Sequence, residues 1–463
     1  MTAIHALTAT ELLARYRDGT LTPSEAFEAI AARIARWEPQ IQALYAYDPD
    51  GAREAAAAST ARWAAGAPLG PLDGVPVTVK ENIATAGVPV PLGTAATSLA
   101  AAPHDAPAPA RLREAGAIIF AKTTMPDYGM TSSGISSFHP ITRNPWDLAK
   151  NPGGSSSGAG AAGAAGYGPL HVGTDIGGSV RLPAAWCGLV GLKPSLGRVP
   201  IDPPYVGRCA GPMTRTVADA ALMMSVLSRP DPRDGMSLPP QDIAWDDLDL
   251  PLAGLRIGLQ LDAGYGLPVE PLIAAAVEAA AASFERAGAK IVPVGPLLTR
   301  TMIDGLDAFW RARAWADIEA LEPERRACVL PYIYEWAKAG AAISGPDAVR
   351  GFNQTIAMRQ AAARLFMDLD FLLSPTAPIA AFPANQSSPL EDPARPFEHI
   401  GFTVAWNMTE QPALSIPCGF LDHLPIGLQI VGRRFDDLGV LRLARAYEQA
   451  RGPIANWPEP PAG

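Results

Sequence analysis

Cysteine, histidine and charge are all scarce in this sequence of 463 residues. The four cysteines (Cys187, Cys209, Cys328 and Cys418) lie far apart, without a C-x-x-C pair or a zinc-type spacing, so we expect free thiols and no bound metal. Charged residues make up 18% of the chain, and the formal net charge is −9. A protein that binds a nucleic-acid backbone needs a clustered basic face, so this composition argues against nucleic acid as a partner.

The sequence also lacks a segment with both the length and the hydrophobicity of a membrane-spanning helix. Residues 151–174 carry no charge, but they consist mainly of glycine, serine and alanine, which transfer poorly into a bilayer. The N-terminus carries Glu11 and two arginines in a helical pattern and has no signal-peptide core. We therefore expect a cytoplasmic protein with no membrane partner.

Apolar residues, at 48% of the chain, are sufficient for a large buried core. Helical patterns fill residues 8–65, and short apolar runs at 74–80, 117–122 and 170–175 are typical of buried strands. Residues 255–294 have the pattern of a β-α-β unit. This alternation predicts an α/β fold: a large mixed, mostly parallel twisted sheet covered on both faces by helices.

A glycine- and serine-rich stretch fits two known motifs. Gly158–Gly163 matches the dinucleotide fingerprint G-x-G-x-x-G, but no credible strand precedes it, which makes this interpretation weak. Gly154–Gly158 matches the hydrolase elbow G-x-S-x-G, which would make Ser156 a nucleophile served by a late histidine, His399 or His423. The elbow also requires a preceding strand, so an esterase of this type is a minor alternative.

A second glycine-serine site follows the strand predicted at 170–175. Two consecutive glycines precede Ser179, and without Cβ atoms their backbone N–H groups can converge on one point. Such a group of donors can stabilise the oxyanion of an acyl-transfer intermediate. Ser179 is then well placed to attack a carbonyl, but this segment alone supplies no base.

Several segments together resemble the amidase signature family. They are, in chain order, Gly74–Asn82 (GVPVTVKEN), Pro152–Ser156 (PGGSS) and Gly173–Arg181 (GTDIGGSVR), with further similarity at 184–194 and 412–429. One departure is Ser157, which stands where the family usually has glycine, and a milder one is the glutamate of the first segment. The resemblance implies the amidase signature fold as a single domain over residues 1–463. It divides into N-terminal helices at 1–70, a catalytic core at 71–220, and a variable pocket region with the C-terminal completion of the core at 221–463.

The resemblance also implies a catalytic triad of Lys80, Ser155 and Ser179. Ser179 is the acyl-forming nucleophile, Ser155 is a bridging serine that follows a cis peptide bond, and Lys80 is the ultimate base. An ordinary lysine has a pKa near 10.4, so roughly one in 2,500 is neutral at pH 7. Lys80 must therefore be buried away from carboxylates, and Glu81, next to it on a strand, is expected to point to the opposite face.

Further roles follow from the same resemblance, and neither a metal nor an organic cofactor is required. The predicted oxyanion donors are the N–H groups of Ile176, Gly177, Gly178 and Ser179. The residues predicted to support the loops are Gly154, Ser156, Asp175 and Arg181. The residues predicted to bind substrate are Tyr128, Gly129, Met130 and Thr131.

The function implied is an amidase that hydrolyses C–N bonds of small amides, with aryl acylamides and aryl carbamates (urethanes) as candidate substrates. Six aromatic residues belong either to the core or to a pocket wall that suits aryl groups: Phe309, Trp310, Trp315, Tyr332, Tyr334 and Trp336. The main alternative is the glutamine-hydrolysing subunit of an aminoacyl-tRNA amidotransferase. A silent binding scaffold is disfavoured because all three triad residues are present. The oligomeric state is left open, a homodimer included.

Overall fold

The structure is a computed structural model that describes residues 3–454 and 456–461. In this part of the chain an eleven-stranded sheet runs in the order β1-β3-β2-β4-β6-β5-β10-β11-β9-β7-β8. The strands are β1 (Leu44–Tyr45), β2 (Pro76–Lys80), β3 (Ile118–Thr123), β4 (Leu170–Asp175), β5 (Val190–Lys193), β6 (Cys209–Thr214), β7 (Arg256–Gln260), β8 (Lys290–Val294), β9 (Phe371–Pro375), β10 (Ala413–Leu421) and β11 (Leu424–Gly432).

Helices surround this sheet and account for most of the remaining regular structure. They are α1 (Ala9–Asp18), α2 (Pro23–Ile41), α3 (Pro49–Ala64), α4 (Pro107–Glu114), α5 (Ser157–Ala165), α6 (Arg181–Cys187), α7 (Val217–Leu227), α8 (Pro271–Arg286), α9 (Arg300–Glu319), α10 (Pro323–Arg326), α11 (Pro331–Lys338), α12 (Gly345–Phe352), α13 (Gln354–Leu365), α14 (Val404–Met408) and α15 (Asp437–Arg451). The α/β class and the large mixed sheet are confirmed.

One detail of the predicted sheet is corrected: parallel pairs are the minority. Four neighbouring pairs are parallel, in the groups β3-β2-β4 and β9-β7-β8, and six are antiparallel. The parallel strands are connected through helices, as the alternation of strand and helix patterns in the sequence predicted. The antiparallel centre comes from β5, β6 and the hairpin β10–β11, whose two-residue turn leaves no room for a crossover helix.

The N-terminal helices form where the sequence pattern placed them. Thr8 caps α1 and Thr22 caps α2, and each side chain accepts a hydrogen bond from the backbone of a glutamate three residues on. The glutamate side chain accepts one from the N–H of the threonine in return, which completes a capping box. These helices pack beside the half of the sheet that contains β2 and β3.

The charge-free stretch that follows Ser156 is the helix α5, and all nine of its residues are buried. Its small residues allow other backbone to approach: a Cβ on Gly158 would lie 2.2 Å from the carbonyl oxygen of Ala43. No helix among residues 3–454 and 456–461 is both long and apolar enough to cross a membrane. Because α5 is tightly enclosed, the loop at its N-terminus is held in place next to β4.

Candidate active site

Lys80 is the last residue of β2, and its side chain is completely buried. Its Nζ donates to Ser155 Oγ at 2.8 Å and to Thr174 Oγ1 at 3.0 Å. The neighbouring strand β4 runs parallel to β2, so the carboxyl ends of both strands lie at the same edge of the sheet. This edge brings Lys80 together with the loop after β4, which contains Ser179.

Burial lowers the pKa of Lys80 to about 7, because a charged ammonium loses its hydration in the interior. Asp175 opposes this effect, while the nearby guanidinium of Arg208 lowers the pKa further. The Glu81 carboxylate is turned away, as expected, and binds His139 and the backbone N–H of Gly93. Lys80 is therefore partly neutral near pH 7, which is the state a base requires.

Ser155 lies in the loop between β3 and α5, and the Gly154–Ser155 peptide bond is cis, as the family resemblance implies. Only glycine fits at position 154, because a Cβ there would lie 2.6 Å from the backbone nitrogen of Ser133. The Ser155 side chain contributes to the wall of a cavity, although the residue is only 4% exposed. The Ser155 hydroxyl thus lies between the buried lysine and the cavity.

Ser156 is completely buried and lies outside the cavity wall. Its hydroxyl donates to the carbonyl oxygen of Thr174 at 3.2 Å and accepts from the N–H of Thr174 at 3.3 Å, which ties the loop to β4. A coil rather than a strand precedes it, and the two histidines considered for it, His399 and His423, contact other groups. Ser156 is therefore not the exposed nucleophile of an esterase elbow.

The loop after β4 presents Ser179 to the cavity. Ile176, Gly177 and Ser179 line this cavity, and within the described residues their N–H groups donate no hydrogen bond. The N–H of Gly178 is different, because it donates to Asp175 Oδ1 at 2.8 Å. The loop turns at Gly178 and that N–H stabilises the turn, so the predicted oxyanion donors without an internal partner are the N–H groups of Ile176, Gly177 and Ser179.

Gly178 has a φ of +127°, a conformation that favours glycine. A Cβ there would lie 2.6 Å from Thr403 Oγ1, and that hydroxyl donates to the carbonyl oxygen of Gly177 at 2.6 Å. Thr403 therefore packs directly behind the loop and holds its peptide groups in a fixed orientation.

A buried ion pair between Asp175 and Arg181 supports the same loop. Both side chains are completely buried, and Arg181 Nη2 lies 2.8 Å from Asp175 Oδ1. Arg181 also donates to Gln429 Oε1 at 2.7 Å and to Asn407 Oδ1 at 2.6 Å. Burial alone would raise the pKa of Asp175, but Arg181 holds it well below its usual range. Asp175 is thus an ionised structural group, and its charge is compensated by Arg181.

Ser155 and Ser179 both line the cavity, but their hydroxyl groups are not hydrogen-bonded to each other. The N–H of Ser156 donates to the carbonyl oxygen of Ser179 at 3.2 Å, which links the two loops. In the part of the chain that the structure describes, no hydrogen bond connects Ser155 Oγ to Ser179 Oγ. Ser179 is partly exposed and lines the cavity.

The cavity above Ser179 is lined by segments from distant parts of the chain. The four residues predicted to bind substrate, 128–131, all lie in its wall, next to α9, α11 and the coil before α14. Among the six aromatic residues left open by the sequence, Trp310 and Tyr332 line the cavity. The other four pack in the adjoining hydrophobic core: Phe309, Trp315, Tyr334 and Trp336.

Sequence reasoning missed several polar residues at this site. Thr174 binds Lys80, and Asn82 Nδ2 donates to Thr174 Oγ1 at 3.1 Å. Asn82 lies in the segment 74–82 and Thr174 in the segment 173–181, so both could have been proposed as site residues from the sequence. Arg208 also lines the cavity and belongs to no recognisable pattern, and His399, considered above only as a partner of Ser156, lines it as well. No cluster of three or more potential metal ligands occurs among the described residues.

A family model described as Amidase matches residues 25–441, which is most of the chain. The chain belongs to the amidase signature family. It is therefore an amidase-type hydrolase that acts on C–N bonds, as the arrangement of a buried lysine and two serines also indicates.

Relatives in this family have different names. The chain is 36% identical to a glutamyl-tRNA(Gln) amidotransferase subunit from Chloroflexus aggregans, over 99% of this chain and 98% of the relative. It is 35% identical to an acylamidase from Rhodococcus erythropolis, over 97% and 96%. A solved bacterial aryl acylamidase superposes with a TM-score of 0.88 at 32% identity and covers 96% of each chain.

Proposed function

We propose that this protein hydrolyses the C–N bond of small aryl acylamides and aryl carbamates through an acyl-enzyme on Ser179. The observation that carries the proposal is the buried Lys80. Its pKa is lowered, its Nζ lies 2.8 Å from Ser155 Oγ, and Ser155 lines a cavity with aromatic residues in its wall.

The proposed reaction begins with a proton relay. Neutral Lys80 takes a proton from Ser155, which takes one from Ser179 as the Ser179 oxygen attacks the substrate carbonyl. Because the two serine hydroxyls are not hydrogen-bonded here, the Ser179 side chain rotates toward Ser155 when substrate fills the cavity; catalytic hydrogen bonds commonly tighten on substrate binding. The relay then returns a proton to the leaving nitrogen, and water releases the acyl group.

Backbone donors stabilise the charge that develops on the carbonyl oxygen. The N–H groups of Ile176, Gly177 and Ser179 supply this oxyanion hole in our proposal, while the N–H of Gly178 orients the loop through Asp175. The rigid support from Thr403 and from the Asp175–Arg181 pair keeps these donors pointed at the reacting oxygen. Such preorganisation matters because no reorientation is then needed during the reaction.

The cavity wall favours an aromatic group on the substrate. Tyr128, Trp310, Tyr332 and Phe397 all line it, and their flat apolar faces suit a phenyl ring. The likeness to an acylamidase and to a bacterial aryl acylamidase agrees with this choice.

The alternative is glutamine hydrolysis within an aminoacyl-tRNA amidotransferase, which the similarity to the Chloroflexus relative supports. Identity does not discriminate between the two functions, because both kinds of relative match equally well. Glutamine, however, carries an α-ammonium group, and of the residues described none that lines the cavity is an aspartate or a glutamate. A buried ammonium without a partner is unfavourable, so on this point the cavity suits an acylamide without an ammonium group better than an α-amino acid.

A substrate panel on the purified chain alone tests the proposal. The panel compares acetanilide, an aryl carbamate, a short aliphatic amide and glutamine by product release. Hydrolysis of the anilide or the aryl carbamate by the chain alone is expected. Activity restricted to glutamine, and dependent on added partner proteins, would overturn the proposal in favour of the amidotransferase.

A further inference from the structure

We propose that the cavity recognises an anionic substituent on its substrate, a carboxylate held by Arg208 and Arg313. This inference deepens the proposed function and rests on it: the substrate class becomes aryl amides that carry a carboxylate. The two guanidinium groups are the charged side chains of the cavity wall within the described residues.

Arg208 stands next to the catalytic loop. It directly precedes β6, and the β4–β6 register pairs Cys209 with Asp175, so Arg208 flanks Ile176, the first residue of the oxyanion loop. Its Nη2 donates to the carbonyl oxygen of Pro203 at 2.6 Å, while its Nε is buried without a hydrogen-bond partner. A guanidinium has five N–H donors in a planar fork, so Arg208 retains unused donors beside the reaction centre.

Arg313 approaches the same region from α9. Its guanidinium stacks on the ring of Tyr205, 3.9 Å from the centroid, and it is exposed at the rim of the cavity. Both guanidinium groups line the same cavity; burial lowers the pKa of Arg208, and the positive charge of Arg313 lowers it further. Two like charges in one cavity are stabilised by an anion between them, and a carboxylate matches the geometry of the guanidinium fork.

Carboxylates occur near the two arginines, among them Asp317 on α9, which acts on Tyr205 together with Arg313, but Asp317 does not line the cavity. Neither arginine has an ion-pair partner within the portion of the chain that is described. Asp202 and Asp234 are near Arg208, but Asp202 lies 3.8 Å from His104, and Asp234 accepts backbone N–H groups at 2.7 and 3.0 Å. Both lie outside the cavity wall. Because the chain as a whole is acidic, a cavity with only positive side chains is a local feature that suits an anionic ligand.

The test compares substrates of the same shape that differ in charge. We would measure kcat/KM for para-acetamidobenzoate and for its neutral isostere para-acetamidobenzamide, and repeat the pair with N-phenylsuccinamate and its amide to place the carboxylate on the acyl side. At least one carboxylate is expected to be preferred over its isostere by about tenfold, the effect of a charge-assisted hydrogen bond.

Variants assign that preference to the two arginines. Arg208→Gln should reduce the ratio of anionic to neutral kcat/KM by about tenfold, and Arg313→Gln, at the exposed rim, by roughly twofold to fivefold. The ratio is the decisive quantity, because loss of Arg208 also changes the pKa of Lys80 and so affects both substrates equally. Arg364→Gln is the matched control, an exposed arginine on α13 outside the cavity, and should leave the ratio unchanged.

Calorimetric titration of Ser179→Ala with the same compounds separates this inference from the proposed function. If wild type hydrolyses no anilide, the proposed function fails, and the binding preference still decides whether the arginines recognise a carboxylate. If Arg208→Gln does not fold, Arg313→Gln provides the same comparison. Equal binding and equal turnover of anionic and neutral isosteres, unchanged in the arginine variants, would overturn the inference.

Discussion

Replacement of Lys80 by methionine should abolish activity and, at neutral pH, stabilise the fold. Methionine is similar in length and unbranched but carries no charge. Burial takes the pKa of Lys80 from 10.5 to about 7, which corresponds to about 5 kcal/mol of free energy that opposes folding at or below neutral pH. Loss of the hydrogen bonds to Ser155 and Thr174 offsets about 2 kcal/mol of this. The net gain expected for Lys80→Met is about 3 kcal/mol.

The sign of the pH dependence follows from proton binding. Between pH 7 and 10.5 the unfolded chain holds the Lys80 proton and the folded chain does not, so wild-type stability rises with pH across this window. The variant lacks this contribution. Its advantage over wild type should therefore be full below pH 7 and should disappear, and then reverse, as the pH approaches 10.5.

The assay is urea unfolding of both proteins at pH 6.5, 8 and 9.5, together with hydrolysis of acetanilide. Lys122→Met is a matched control: Lys122 is also buried with a pKa lowered to about 7, but its Nζ binds Thr85 and the carbonyl oxygen of Ile83, outside the cavity. The control should show a similar pH-dependent difference and keep its activity. Retained activity in Lys80→Met, or a stability difference that does not vary with pH, would refute the reasoning.

Three other changes have defined outcomes. Ser179→Ala should reduce turnover by at least about a thousandfold while it shifts the melting temperature little, because the side chain is partly exposed and unbonded; retained turnover would place the nucleophile elsewhere. Gly178→Ala should cost about 2 kcal/mol in thermal unfolding and lower kcat, since its Cβ would meet Thr403 at 2.6 Å; wild-type behaviour would show that the loop is not rigid. Trp310→Ala should raise KM for anilides more than for aliphatic amides, measured by initial rates; equal effects would remove Trp310 from aryl binding.

The elements that carry the predicted triad could be identified from local sequence patterns. Lys80 ends a continuous apolar strand, and Ser179 follows two glycines after another strand, so each lies on an element that the pattern alone identifies. The motif Gly173–Arg181 also contains both partners of the buried ion pair. Local geometry within these segments depends mainly on neighbours in sequence, which is why the two strands lie where the sequence pattern placed them.

Features that depend on distant residues were not predictable. The antiparallel centre of the sheet arises from strands that pair across large separations, such as β4 with β6 and β5 with β10. The hydrogen bond from the Gly178 N–H to Asp175 depends on how the loop turns, and two consecutive glycines do not determine that turn. Arg208 joins the cavity only because the β4–β6 register places it beside Ile176.

The most direct test of the central mechanism is the rate at which phenylmethanesulfonyl fluoride labels the protein as a function of pH. The serine oxygen attacks sulfur and fluoride leaves, so the experiment reports the activation of the nucleophile without a natural substrate. The relay predicts a label on the peptide that contains Ser179, with a rate that rises with pH around a midpoint of about 7, where Lys80 becomes neutral. A label on a different serine, or a rate that shows no midpoint below about pH 10, would contradict the mechanism.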